Sequence, residues 1–440
     1  MPLPLSSPIL SQSPDSPFLE PAFLDPAFLP HPDLEEAIVL LNQDFLNQDF
    51  LNQNSEVAEE FPTLPDRCPE EGMGELAALR QLAPQVLGRG ARLDGDKILA
   101  HMDPPTPWIT WVMAFWNARL NQNLLHPSTA PFAREAEQRV LDWLTPFFGM
   151  KGGLFCSGAT LANLTALWAA RDVHGVKRVI ASEAAHFSIP KAAHILGLPY
   201  VALPTNAQGQ LDRTSLNSDR FDPAQLAEAC VVLTAGTTAT GAIDSLDPLT
   251  GPHAQWIHVD AAWAGPLRLS PTFAPLLKGI ENADSVTLSA HKWFFQPKES
   301  ALILFREPAE AQEALSFGGS YLATDNIGLQ GSRGAAAIPL LATLLAWGRR
   351  GMVDRIERAM GLAQALATAL DQSDRFELWG PAVTGITVFR PLQEKTEDLY
   401  DRLPPGMLST CVLNQQTWLR SVAANPLADL SQILQVLLTS

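Results

Sequence analysis

The chain has 440 residues, 46% of them hydrophobic, enough to bury a large core in one large domain with appendages or in two to three domains. Its formal charge of −17, from 47 acidic and 30 basic residues, argues against nucleic acid as a partner and leaves no basic stripe for anionic membranes. No stretch reaches the roughly 18 to 20 apolar residues of a spanning helix, and the Pro- and Ser-rich start lacks a secretory pattern. Cys68, Cys156, Cys230 and Cys411 lie far apart without CxxC spacing, which predicts free thiols in a soluble, cytoplasmic protein.

In chain order, residues 1–65 carry short repeats, FLEPAFLDPAFLP and LNQDFLNQDFLNQN, with too much proline for one long helix. This predicts a loosely held extension, with a short helix at most between Leu34 and Leu51. Residues 66–130 continue as a helical N-terminal region that includes the Trp-rich WITWVMAFW. From 131 to 350, VKRVIAS, PYVALP, ACVVLTA, WIHVDAAW, DSVTLSA and ALILFR read as buried strands alternating with helices. Such alternation predicts an α/β domain with a mostly parallel central sheet flanked by helices. Residues 351–440 give a small C-terminal α/β domain, with GITVFR and TWLRSV as strands and ADLSQILQVLLTS as a closing helix.

Four runs carry chemistry. Lys292, in Ser289-Ala290-His291-Lys292, follows one apolar strand and precedes another, at a strand end where α/β clefts form. Lysine forms imines with carbonyl cofactors, and burial lowers its pKa toward the reactive amine; alone, this is also the pattern of a surface lysine. Asp260 ends the strand of His258-Val259-Asp260-Ala261-Ala262, and a buried acid there can pair with a protonated pyridine nitrogen. The small Ala262 leaves room for a flat ring. Gly152 to Asn163 reads as a glycine-rich turn running into a helix, whose free N–H groups and Thr160 hydroxyl make a phosphate cradle or an ordinary helix cap. His186, in Ser182 to Ser188, can stack on a ring or serve the structure. No metal-ligand cluster stands out.

Taken in order, SGATLAN, SEAAHFSIPKAA, AGTTATGAID, HVDAAWAG and SAHKW resemble the group II pyridoxal-phosphate amino-acid decarboxylases, over roughly Leu99 to Leu438. The resemblance implies an α/β fold of the fold-type I pyridoxal-phosphate-dependent transferase kind, and pyridoxal 5'-phosphate as cofactor. It implies that Lys292 carries the cofactor, that Asp260 faces its ring nitrogen, and that His186 lies over the ring with Ala262 beneath. Gly158, Ala159 and Thr160 match the phosphate-binding turn, with His291 nearby and Thr238 beside the ring. Ser332 matches a position that reaches the neighbouring subunit's phosphate, implying a homodimer with shared sites. Tyr321 matches the loop tyrosine that protonates the former α-carbon, and Arg420 matches an arginine that holds a substrate carboxylate.

Two departures stand out. Gly158-Ala159 replaces a frequent Gly-Gly pair, and Gln122 and Leu125 replace residues of the stretch that resembles the glutamate pocket. These departures weigh against glutamate itself, while Arg420 and the resemblance of the pocket imply α-decarboxylation of a small acidic or polar amino acid, glutamate- or aspartate-like, to its amine and carbon dioxide. Aromatic or 2,4-diaminobutyrate substrates, transamination or elimination, and a catalytically degenerate binding protein are the alternatives.

Overall fold

The computed structural model describes residues 35–39, 64–216, 223–248 and 254–439. The N-terminal repeats lie outside these residues; of the helix expected between Leu34 and Leu51, residues 35–39 are described and are helical. The chain divides into two units, residues 1–91 and 92–440. In the first, helix α1 (Glu75–Val86) follows Gly74, and Arg80 pairs with Glu36 at 2.6 Å.

In the second unit, the β-branched and apolar runs form a seven-stranded sheet. Its strands are β1 (Gly152–Cys156), β2 (Arg178–Ser182), β3 (Tyr200–Leu203), β4 (Ala229–Thr234), β5 (Trp256–Asp260), β6 (Ser285–Ser289) and β7 (Ala301–Phe305). The spatial order is β1-β7-β6-β5-β4-β2-β3, with β7 antiparallel to both neighbours and the other pairings parallel. Strands β4, β6 and β7 are buried along their whole length, as expected of a sheet covered on both faces.

Six of these strands match the sequence expectation, while β1 does not: the glycines at 152 and 153 read as a turn, yet they form an edge strand. The reason is steric. A Cβ on Gly153 would sit 2.2 Å from the Ile303 carbonyl oxygen, so the close approach of β7 admits only glycine there.

Helices α2 (Trp108–Leu120) and α3 (Pro131–Leu144) precede the sheet, α4 (Ala159–His174) follows β1, and α5 (Ser188–Ile195) follows β2. A long helical stretch, Ala337–Asp371, is broken at Gly348, where φ is 62°. Beyond the two-stranded β8 (Ser316–Phe317) and β9 (Asn326–Ile327) comes an antiparallel sheet, followed by the closing helix Leu430–Thr439 expected from the sequence. The strands of that sheet are β10 (Phe376–Leu378), β11 (Ile386–Pro391), β12 (Ser409–Leu413) and β13 (Gln416–Val422), in the order β10-β11-β13-β12. Among the described residues, no helix is long and apolar enough to cross a membrane.

Two tryptophans fasten this smaller sheet to the large one. Trp263 and Trp293 pack with ring centroids 4.2 Å apart. Their indole N–H groups donate to the carbonyls of Thr384 at 2.8 Å and Ala423 at 3.2 Å. Because they sit three residues after Asp260 and one after Lys292, this buried pair also fixes the loops leaving β5 and β6.

Candidate active site

The parallel strands end along one sheet edge, and the residues singled out from the sequence gather there. Asp260 is the last residue of β5, opposite Thr234 of β4 and Thr287 of β6. At 4% exposure its carboxylate needs donors. Asn163 supplies one from Nδ2 at 2.9 Å, and the backbone N–H of Ala262 supplies another at 3.1 Å. Lys292 follows β6 and shares an electrostatic field with Asp260, Asp103, Arg420 and Lys298. Burial holds its amine below the usual lysine range, against the pull of Asp260 and Asp103. The loop that carries it is wound tightly, with Phe295 at φ 60° and Glu299 at φ 63°, both rare for residues with a Cβ.

His186 comes from the turn after β2, and the charges of Asp260 and Lys292 both reach it. Burial lowers its pKa, so the ring is neutral near pH 7. Its Nδ1 lies 2.8 Å from Ser188 Oγ. Ala262 is buried beside Asp260. The structure therefore brings Lys292, Asp260, His186 and Ala262 to one place.

An anion-receptive corner adjoins them. Helix α4 starts at Gly158 with no side-chain cap, which leaves its first N–H groups without intrahelical acceptors. Ser300, just before β7, accepts hydrogen bonds on its carbonyl from the N–H groups of Ala290 and His291. The strand register sets its neighbour Ala301 opposite both Cys156 and Ser289. The hydroxyl of Ser300 and Nδ1 of His291 are buried without a partner. Ser157, Ser300 and Ser332 line a cleft of about 450 Å³. Uncapped N–H groups and orphaned buried polar atoms at one strand edge suit a phosphate, and a lysine and an acid beside them suit the rest of a pyridoxal ring.

The remaining predicted residues are more scattered. Ser332 is exposed, and its hydroxyl accepts from Asn123 Nδ2 at 3.1 Å, which ties it to the half-buried stretch holding Gln122 and Leu125. Thr238 is exposed in the turn after β4. Tyr321 is 74% exposed between β8 and β9, and among the described residues no hydrogen bond ties it to the cluster. Arg420 is buried on β13, its Nη1 donating to the Ala100 carbonyl at 3.3 Å and to Ser409 Oγ at 3.0 Å, while Nε has no partner.

Sequence reasoning passed over Asn163, Ser188 and Ser289, which bond to the predicted residues Asp260, His186 and His291, and His258, which bonds to Asn163. One signal was available: His258 and Asp260 are two apart on a strand and so share a face.

A sheet edge that presents a buried lysine, a buried acid and an uncapped helix start defines an α/β protein built around an anionic ring cofactor. Residues 94–391 match the family model described as the pyridoxal-dependent decarboxylase conserved domain, and the chain belongs to that family. It is accordingly a carboxy-lyase that acts on amino acids and uses pyridoxal 5'-phosphate. The L-2,4-diaminobutyrate decarboxylase of Rhizobium meliloti is 32% identical over 352 residues, 74% of this chain and 71% of that protein. The aspartate 1-decarboxylase of Aliivibrio fischeri is 29% identical over 353 residues, 68% and 64% of the two chains. The fold is shared with Oryza sativa TDC crystallised with PLP, at a TM-score of 0.80 and 19% identity over 95% and 99% of the chains.

The buried histidines make stability depend on pH. Burial pushes His258 down to about 4, and burial together with Lys298 and Lys292 pushes His291 down to about 4. Between the ordinary value near 6.5 and about 4, the unfolded chain binds protons that the folded one refuses, so stability falls as pH is lowered through this window. Thermal unfolding of the cofactor-free protein is expected to show a loss on the order of a few kcal/mol across it. The pair H258Q/H291N is expected to flatten that slope, whereas an equal slope in the variant contradicts the assignment. Asp244, raised to about 6 by burial, opposes the trend equally in both proteins.

Proposed function

We propose that the chain removes the α-carboxylate of a small acidic or polar amino acid, with Lys292 as the residue that carries the cofactor. The observation that carries this substrate class is Arg420. The residue is 7% exposed, its charge lies in the field that reaches Lys292, and among the described residues it forms no ion pair. A buried cation without an acid is costly unless something brings one. A substrate carboxylate, bound through its forked N–H groups, is that partner.

The chemistry the cofactor supplies when bound is an electron sink for the bond pair released as carbon dioxide leaves. In this reading the Asp260 carboxylate keeps the proton on the ring nitrogen, and neutral His186 covers the ring. The uncapped start of α4 at Gly158, Ala159 and Thr160, with His291, holds the phosphate, and Thr238 flanks the ring. The depressed pKa of Lys292 leaves more of its amine free to bond and later to displace the product. The Tyr321 hydroxyl returns a proton to the former α-carbon, which requires its exposed loop to close over the site. Gln122 and Leu125 shape the side-chain end of the pocket.

We also propose a homodimer in which Ser332 reaches the second subunit's site. Helix α2 supports it: Trp108, Trp111, Phe115, Trp116 and Leu120 are exposed in the single chain, with Trp108 at 67%. An apolar face of this extent calls for cover. The four free cysteines agree with a reducing compartment, as in the cytoplasm. The aspartate and diaminobutyrate relatives act on side chains of opposite charge, so likeness alone does not choose the substrate. If Arg420 holds the α-carboxylate, diaminobutyrate is the second reading.

Four outcomes are expected. In a carbon dioxide release screen over the proteinogenic amino acids, 2,4-diaminobutyrate and cysteine sulfinate, an acidic or small polar substrate turns over fastest. R420Q raises its KM by about tenfold to a hundredfold. Inactivity on every acidic candidate contradicts the substrate class, and an equal loss on all substrates moves Arg420 to the α-carboxylate. Sedimentation should find a dimer, and W111E/F115E should shift it to monomer; a monomeric wild-type chain removes the shared-site proposal.

A further inference from the structure

Behind Asp260 runs a line of buried polar side chains to which no role in the reaction has been given. Trp256, His258 and Asp260 alternate along β5 on one face, Ser285 opens β6, and Asn163 lies in the early turns of α4. Trp256 Nε1 is 2.9 Å from Ser285 Oγ, which is 2.8 Å from His258 Nδ1. His258 Nε2 is 3.0 Å from Asn163 Oδ1. Asn163 Nδ2 is 2.9 Å from Asp260 Oδ2 and 2.9 Å from Ser188 Oγ. Ser188 Oγ in turn is 2.8 Å from His186 Nδ1.

The two ends of this line have fixed polarity. An indole only donates, so Ser285 Oγ accepts from Trp256 and turns its own proton toward His258 Nδ1. A carboxylate only accepts, so Asn163 points its N–H groups toward Asp260 and Ser188 and its oxygen toward His258. The Asn163 end therefore requires the proton of His258 to sit on Nε2, and the Ser285 hydroxyl, accepting from Trp256, has its own proton available for the bare Nδ1. Ser188, already accepting from Asn163, gives its proton to His186 Nδ1, and its backbone N–H faces the same nitrogen at 3.3 Å. His186 then carries its own proton on Nε2.

The Ser285 carbonyl is a competing acceptor close to the His258 ring. A proton moved to Nδ1 to reach it would leave the Nε2 lone pair against the Asn163 oxygen, or turn that oxygen onto Asp260; either leaves acceptor facing acceptor. Thr287 Oγ1, 3.5 Å from Nε2, is a further oxygen within range of the same proton. Burial keeps the His258 ring neutral, pushing its pKa down to about 4.

We propose that this hydrogen-bond line, anchored on Trp256, makes Asn163 a positioning residue that sets Asp260 and His186 together and fixes both imidazoles as Nε2–H tautomers. One side-chain amide then orients the group assigned to the ring nitrogen and the group assigned to the ring face. The functional consequence rests on the assignment of Lys292 and Asp260 to the cofactor, whereas the tautomers do not.

Two measurements separate these layers. Long-range 1H–15N spectra of cofactor-free protein labelled at histidine are expected to show bare Nδ1 and protonated Nε2 for both His258 and His186, with mixed tautomers at His258 in S285A. In parallel, H258F, which keeps ring volume but not the donor, is expected to weaken pyridoxal 5'-phosphate binding about tenfold and shift the bound absorbance, while H258Q recovers most of the affinity. Packing alone would favour Phe over Gln. A proton on Nδ1 of either histidine, or wild-type binding by H258F, overturns the proposal. Should H258F fail to fold, S285A is read for the same loss of affinity, and unchanged affinity there counts equally against it. Correct tautomers in a wild-type chain that takes up no cofactor would uphold the line and defeat the assignment of Lys292.

Discussion

A carboxylate placed where water cannot reach it must be held by donors or lose its charge, and the site is arranged around that constraint at Asp260. Its two oxygens receive N–H groups from Asn163 and Ala262. Its position at the end of β5 is set by parallel pairing on both sides. The loop that follows is fixed by Trp263, whose indole reaches the carbonyl of Thr384 near the smaller sheet. Lys292, from the next strand, has the opposite problem: burial disfavours its charged form, while Asp260 and Asp103 restore part of it. An acid kept in place beside an amine held below its usual range is the electrostatic pattern a pyridoxal enzyme needs, and it arises here from neighbouring strand ends.

The antiparallel β7 also matters. By running backward between β6 and β1, it brings Ser300 to the same edge as the start of α4 and His291. Its close approach requires glycine at 153, and the unpartnered polar atoms of Ser300 and His291 lie beside it. Sheet packing and ligand reception are thus set by the same strand.

Much of this was legible in the sequence. β4 and β7 are runs of apolar and β-branched residues without alternation, the signature of strands buried on both faces, and the acid ends β5 and the lysine follows β6, the two strands between them. β1 was missed because its glycines serve close packing in a strand, where sequence patterns read them as a turn. β10 and β12 were missed because short, partly exposed edge strands carry little hydrophobic period. Tyr321, Ser332 and Thr238 carry roles implied by resemblance, and all three are exposed in the single chain. The line from Trp256 to His186 escaped because it joins five elements, and polar side chains that meet only in the folded state leave no spacing to read.

The central claim concerns which amine the cofactor bonds. Borohydride reduction of the enzyme loaded with pyridoxal 5'-phosphate, followed by peptide mapping, reads that bond directly. The label is expected on Lys292 alone. Label on another lysine, or none at all in protein that binds the cofactor, would contradict the account.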